Sequence, residues 1–364
     1  MNVVSLPTIP SSAEATKPAG IVGSADSVRA PASTAAKTAE TAETAETAET
    51  AETAETAETA ETAPSSPAPL VTTPLPIVDG VAPSYVWLPT GDWPDLLTFL
   101  VHRFPAIPAT IWIGRMDKGE VVDAQGARLP STAPYRQGCR IYYYRELDAE
   151  TPIPFEEVIL YQDERLLVVD KPHFLPVIPA GRFLHETLLV RLKKKTGLSE
   201  LSPIHRLDRE TAGVMMFSLD IATRGAYQSL FQQRLVEKVY EALAPTMPQI
   251  HFPLTHRSRM VEGTPFFRME EVSGEPNSET QIDLIAHRQE NSLYRLQPLT
   301  GKKHQLRVHM ASLGMPIIND IFYPTINPCK GDDWSSPLKL LAKSISLVDP
   351  VTGQRLYFES QRTI

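Results

Sequence analysis

At 364 residues the chain exceeds the roughly 250 to 300 residues over which a single core keeps growing, so two folded units are expected. Its net charge is −8, all of it local: the first 84 residues hold 11 acidic and 3 basic side chains, leaving 32 of each in the remainder. That balance excludes no partner class by itself, but the two distant cysteines, Cys139 and Cys329, argue against a disulfide scaffold or a zinc motif, and no run approaches the ~18 apolar residues of a membrane span.

The N-terminus has neither signal-peptide nor transit-peptide character, so a cytoplasmic protein is expected. From Thr38 to Glu61 the triplet Thr-Ala-Glu occurs eight times. A three-residue period against 3.6 per helical turn builds no apolar stripe, and the glutamates repel one another. Residues 1–84 are therefore expected to be a disordered, low-complexity tail. Ordered sequence is expected from Tyr85. WPDLLTFLVHRFP spaces Trp93, Leu96, Leu97 and Leu100 as one helical face closed by Pro105, and GEVVDAQGARL and GCRIYYYREL read as short strands with tight turns. Residues 85–150 thus form a small α/β module with few basic residues.

A larger unit is expected over 151–364. EVILYQDERLLVVDKP reads as strand, turn, strand; LHETLLVRLKKKTG puts Leu184, Leu188 and Leu192 on a helix stopped by Gly197. Further strands are expected at GVMMFSL, EKVYEALA and SLYRLQPL, with helices around AYQSLFQQRL and from Lys302. The elements lack strict alternation, so the fold class is α+β with a mixed, mostly antiparallel sheet.

Three segments of this unit carry chemistry-bearing residues in close spacing: PIHRLDRETAGVMMFSLD at 203–220, VEKVYEALA at 236–244 and LTGKKHQLRVHMASLGMPIIND at 299–320. Together they resemble the motifs of the RluA family of RNA pseudouridine synthases, and VVDKP at 168–172 and LVDPVTG at 347–353 extend the resemblance. It implies an isomerase that converts uridine to pseudouridine in structured RNA, ribosomal or transfer, without cofactor or metal, as a monomer. The catalytic set it implies is Asp208, Tyr240 and Arg307: a carboxylate that attacks or deprotonates the nucleoside, an aromatic ring against the base, and a guanidinium that keeps the carboxylate charged. The substrate-binding set it implies is His205, Arg206, Thr211, Lys238, Lys302, His304, Gln305 and Leu306, with Arg206 entering the stack that the flipped base leaves. His256, Arg257 and Arg259 lie close together in THRSRMVEG; Arg257 and Arg259 are expected to meet RNA phosphates.

Taken singly, these residues have plainer readings. An Arg-x-Asp with a distant Arg could be a structural ion pair, Tyr240 a half-buried strand aromatic, and His205, His304 and His309 satisfied structural histidines rather than metal ligands. Lys302 stands where the family usually has Arg and Ala212 where Ser is common, which bears on substrate choice. The module at 85–150 resembles the RNA-binding domain of a small-subunit ribosomal protein. Two rivals remain: an RNA-binding or ribosome-assembly factor that keeps the fold without chemistry, and a carboxylate glycosidase, which would require a second acid as proton donor.

Overall fold

The computed structural model describes residues 73–147, 149–328 and 331–364. The Thr-Ala-Glu repeat, and the expected tail up to residue 72, lies outside the described residues, as does Cys329. Among the described residues no helix is long and apolar enough to cross a membrane.

The small module runs β1 (Ser84–Trp87), α1 (Leu96–Arg103), α2 (Ala109–Lys118), β2 (Val121–Asp123) and β3 (Arg140–Tyr143). Its strands form an antiparallel sheet in the order β1-β3-β2. The helix expected around WPDLLTFLVHRFP starts at Leu96 rather than Trp93, because the Asp95 carboxylate accepts the Thr98 amide proton at 2.7 Å and caps the first turn. Gly119, at φ +75°, stops α2. Phe99, Leu100, Phe104, Trp112 and Met116 pack on Val86, Ile141 and Tyr143, giving the module an aromatic-rich core of its own.

Folded structure begins earlier than Tyr85. Leu75 is buried against Val122 and Tyr142, and Val81 against Leu184 and Val190 of the larger unit. Residues 73–83 carry no periodic pattern, so their role could be seen only once both packing partners were placed.

The larger unit begins with β4 (Val158–Gln162), β5 (Leu166–Lys171), α3 (Leu188–Thr196), β6 (Ser202–Pro203), β7 (Ala212–Ser218), α4 (Ile221–Gln232) and β8 (Glu237–Pro245). It continues with β9 (Leu254–Glu262), β10 (Met269–Val272), β11 (Ser278–Arg288), β12 (Asn291–Pro298), α5 (Gln305–Ser312), β13 (Leu340–Val348) and β14 (Arg355–Glu359). One eleven-stranded sheet follows the order β10-β9-β11-β12-β8-β13-β7-β5-β4, with β14 on β13 and β6 on β7. Every pairing is antiparallel except β13 with β7, as the mixed, mostly antiparallel expectation has it.

Leu166–Val169 of β5 and Ala212–Phe217 of β7 read as apolar runs because both of their faces are covered. Leu167, Val169, Met215 and Phe217 point to α3, while Leu166, Val168, Val214 and Met216 point to Tyr227 of α4. A third cluster seats Leu306 and Met310 of α5 on Ala242, Ile282, Tyr294 and Leu296.

Two helix starts in the larger unit also differ from the sequence expectation. Leu184 precedes α3, whose N-cap is Thr187, with its hydroxyl accepting from the Val190 amide at 3.4 Å. α5 opens at Gln305, not Lys302, since residues 300–304 form a turn ending at His304 in the left-handed region, φ +53°. Glycine 197 does stop α3, at φ +73°.

Candidate active site

Asp208 lies on the loop between β6 and β7, and that loop is tied down at several points. Lys171, fully buried at the end of β5, donates its three ammonium protons to the carbonyls of Pro172, Leu175 and Arg209 at 3.0, 2.8 and 3.0 Å. Burial pushes that ammonium down to about 7. The Thr211 amide donates to the Asp208 carbonyl at 3.1 Å, and the His173 ring nitrogen meets the Glu210 carbonyl at 2.7 Å. Together these contacts fix the backbone from Asp208 to Thr211 and leave the Asp208 carboxylate partly exposed.

Tyr240 reaches the same place through strand register. Ala342 of β13 is paired with Tyr240 on one side and with Gly213 on the other. Gly213 sits at φ +113°, and a Cβ there would stand 2.2 Å from the Ala342 carbonyl oxygen, so glycine alone permits this approach. Tyr240 packs on the cluster that contains Leu306.

Arg307 comes from the first turns of α5. The turn before it is locked by Gln305, whose carbonyl oxygen accepts from Thr300 Oγ1 at 2.6 Å and from the Lys302 amide at 3.1 Å. The Gln305 amide group donates to the Glu279 carbonyl at 3.0 Å and to Thr280 Oγ1 at 2.9 Å. Arg307, 2% exposed, places Nη1 at 3.3 Å from Asp208 Oδ2. Its other edge makes a two-pronged contact with Asp320, Nε to Oδ2 at 2.8 Å and Nη2 to Oδ1 at 2.7 Å. Asp320 also accepts from the amides of Phe322 and Tyr323, and both of their rings lie over the guanidinium.

The electrostatics follow from this packing. Burial alone would raise the Asp208 pKa, but the positive groups around it outweigh burial: His304 when protonated, then Arg307 and Arg206, hold the carboxyl down at about 2. Burial pushes His304 itself down to about 3, so at neutral pH the guanidinium of Arg307 is the contacting charge. Burial, and then the Asp208 charge, push the Tyr240 hydroxyl well above its ordinary range, so Tyr240 is a neutral phenol.

A family profile described as RNA pseudouridylate synthase matches residues 165–312, which span the Asp208 loop, β8 and α5. The chain is 32% identical over 210 residues to the dual-specificity RNA pseudouridine synthase RluA of Haemophilus influenzae, covering 56% of this chain and 92% of that protein. The chain belongs to the RluA family of RNA pseudouridine synthases. It is also 35% identical over 186 residues to the human pseudouridylate synthase RPUSD2, covering 50% of this chain but only 34% of that protein. Among solved structures, human RNA pseudouridylate synthase domain containing 1 superposes with a TM-score of 0.49 at 23% identity, covering 59% of this chain and 86% of that one.

Within this RluA-family chain the fold brings Asp208, Tyr240, Leu306, Arg307 and His304 to one place, with His304 Nε2 at 3.9 Å from Asp208. Arg206 is exposed on the Asp208 loop. His205 is turned inward: its Nε2 accepts from the Met216 amide at 3.1 Å, its Nδ1 meets the Arg206 carbonyl, and its ring stacks on Phe231. Thr211 and Gln305 are buried and serve the loop and the helix start, while Lys238 reaches the Thr300 carbonyl at 3.3 Å and Lys302 is exposed on the turn. THRSRMVEG makes up most of β9, the first strand of the β9–β10 hairpin. Its alternation turns His256 and Ser258 inward and Arg257 and Arg259 out. Arg257 is held in a fork by Glu279 at 3.0 Å.

Two residues without a role in the sequence reading belong to the site. Asp320 closes the third motif, yet its function depends on a turn that returns to α5, and spacing does not show that. Lys303 has its ammonium lowered by burial and by nearby Arg206, in the field of Asp208; its signal was its place between Lys302 and His304.

Proposed function

We propose that this chain isomerises uridine to pseudouridine in ribosomal or transfer RNA, as a cytoplasmic monomer, with Asp208 as the reacting carboxylate. The reading rests on one observation: a partly exposed carboxylate held ionised by a buried guanidinium beside a neutral tyrosine ring. In the reaction the bond between N1 and the ribose carbon breaks, the base turns, and carbon 5 takes that bond while its proton passes to solvent. An ionised Asp208 can act on the nucleoside as nucleophile or base, and needs no activation at neutral pH. Arg307 keeps it charged. Tyr240 offers its face to the flipped base and, being protonated, acts by stacking and hydrogen bonding rather than as a phenolate base. Arg206, exposed beside Asp208, fills the gap in the RNA stack, and Arg257 and Arg259 face phosphate from the outer side of β9.

The glycosidase reading requires a second acid as proton donor. Asp320 is the carboxylate nearest in role, but both of its oxygens are taken by Arg307 and backbone amides. The test is tritium release from RNA labelled at carbon 5 of uridine. Asp208→Ala should lower release by about 10³-fold or more, the scale of losing a covalent or general-base group. Equal release by variant and parent would discard the enzyme reading in favour of an RNA-binding factor.

A further inference from the structure

We propose that His256, Glu271 and His309 form a zinc-class metal site that fastens the β9–β10 hairpin to α5. Each ligand comes from a different element: His256 from β9, Glu271 from β10 and His309 from α5. One ligand atom from each lies within 4.8 Å of the others. His256 Nε2 is 2.9 Å and His309 Nε2 is 3.9 Å from the same Glu271 oxygen. Ligands at about 2.0–2.2 Å from a tetrahedral Zn²⁺ stand roughly 3.3–3.5 Å apart, so the observed separations bracket the requirement.

The surroundings suit a ligand set. His309 is fully buried, and its far nitrogen, Nδ1, meets Thr280 Oγ1 at 2.9 Å. A proton on that nitrogen fixes the tautomer that leaves Nε2 unprotonated, so that an ion can take the lone pair now shared with serine hydroxyls; metal-bound imidazoles are usually held this way. The hydroxyls of Ser258 and Ser278 lie 3.1 and 3.0 Å from His309 Nε2, and Ser312 Oγ lies 3.4 Å from His256 Nε2, so oxygen donors or a water can complete the fourth position. His256 and Glu271 are partly exposed, which gives an ion a way in. Two imidazoles and one carboxylate favour zinc, or cobalt in its place, over magnesium or calcium.

His309 follows Arg307 by two residues, so the helix turns it about 200° away from Asp208. The site therefore has no part in the isomerisation. It cross-links the strand that carries Arg257 and Arg259 to the helix that carries Arg307. Spacing along the chain reads His309 as a satisfied structural histidine, because its partners His256 and Glu271 come from strands.

The experiment is titration of Zn²⁺ alone into the full chain against a chromophoric chelator, with Co²⁺ as a spectroscopic substitute and no RNA present. Saturable one-to-one binding and a visible four-coordinate cobalt band are expected. Loss of an outer-shell partner costs about 10–100-fold in affinity, so His256→Asn and Glu271→Gln should each lose about 100-fold or more, while His102→Asn, on the small module, should lose none. Both altered residues are partly exposed, so the fold should survive. Should either variant lose its circular dichroism, Glu271→Asp, which keeps the charge and shortens the reach, gives the same comparison. Exchange of β9–β10 amides should slow with Zn²⁺ in the parent and not in Glu271→Gln. No saturable binding, or binding unchanged by these substitutions, leaves a plain His256–Glu271 hydrogen bond and overturns the proposal. Isomerase activity is not read in this test, so the two assignments stand or fall separately.

Discussion

Arg307 is a single side chain serving two carboxylates, and that decides what may replace it. Its fork is committed to Asp320, and one remaining nitrogen faces Asp208. Lysine offers a point charge that can reach one of the two. Arg307→Lys is therefore expected to reduce single-turnover tritium release on the order of 10²-fold. Arg307→Met should go further and cost about 3–5 kcal/mol in urea unfolding, because Asp320 would be left buried without its partner; a stability equal to the parent's would show that the pair is not structural. At this scale the sequence was informative about Asp208, Tyr240 and Arg307, since their motifs are short and ordered. It was less so about Asp320 and Lys171, whose importance lies in which backbone carbonyls and guanidinium nitrogens they meet across the fold.

Among elements, the parallel contact of β7 with β13 was the hardest to anticipate. Local pattern identifies both as buried strands, but nothing in an apolar run names its neighbour, and the two are far apart in sequence. Gly213 is the trace that this contact leaves in the motif. Gly213→Ala would bring a methyl group 2.2 Å from the Ala342 carbonyl oxygen at a backbone angle of +113°. A loss of about 3 kcal/mol or more is expected from strain of that kind, seen as a lower melting temperature together with lower turnover. Full turnover at unchanged stability would mean that the strand spacing does not position Tyr240. The helix starts were misplaced for a related reason: Thr187 and the turn ending at His304 begin the helical backbone a few residues later than the apolar spacing suggests.

For the whole molecule, the burial of histidines sets the response to acid. Burial holds His173, His205 and His309 at about 4 and His304 at about 3, against about 6.5 in an unfolded chain. Between those values the unfolded chain takes up protons that the native one refuses, so stability present above pH ~6.5 is lost as pH falls towards 4, by up to about 1.4 kcal/mol per pH unit for each histidine. Asp208 is shifted in the same direction, so its contribution is also lost in acid, but only as pH falls from the ordinary carboxylate range towards 2. Urea midpoints should thus decline between pH 6.5 and 5, and a flat profile would contradict the burial. α+β character and the run of site motifs were legible over 151–364, whereas the order of eleven strands was not, because it depends on long-range pairings that leave no local mark.

β13 lies between β8 and β7 in the sheet and is made after both of them during synthesis. Until residue 348 is available, the strand bearing Tyr240 and the loop bearing Asp208 belong to separate half-sheets, and a nascent polypeptide holds every signature residue without a pocket. Competence to modify RNA should therefore arrive abruptly, once β13 has been made and paired, rather than gradually along synthesis.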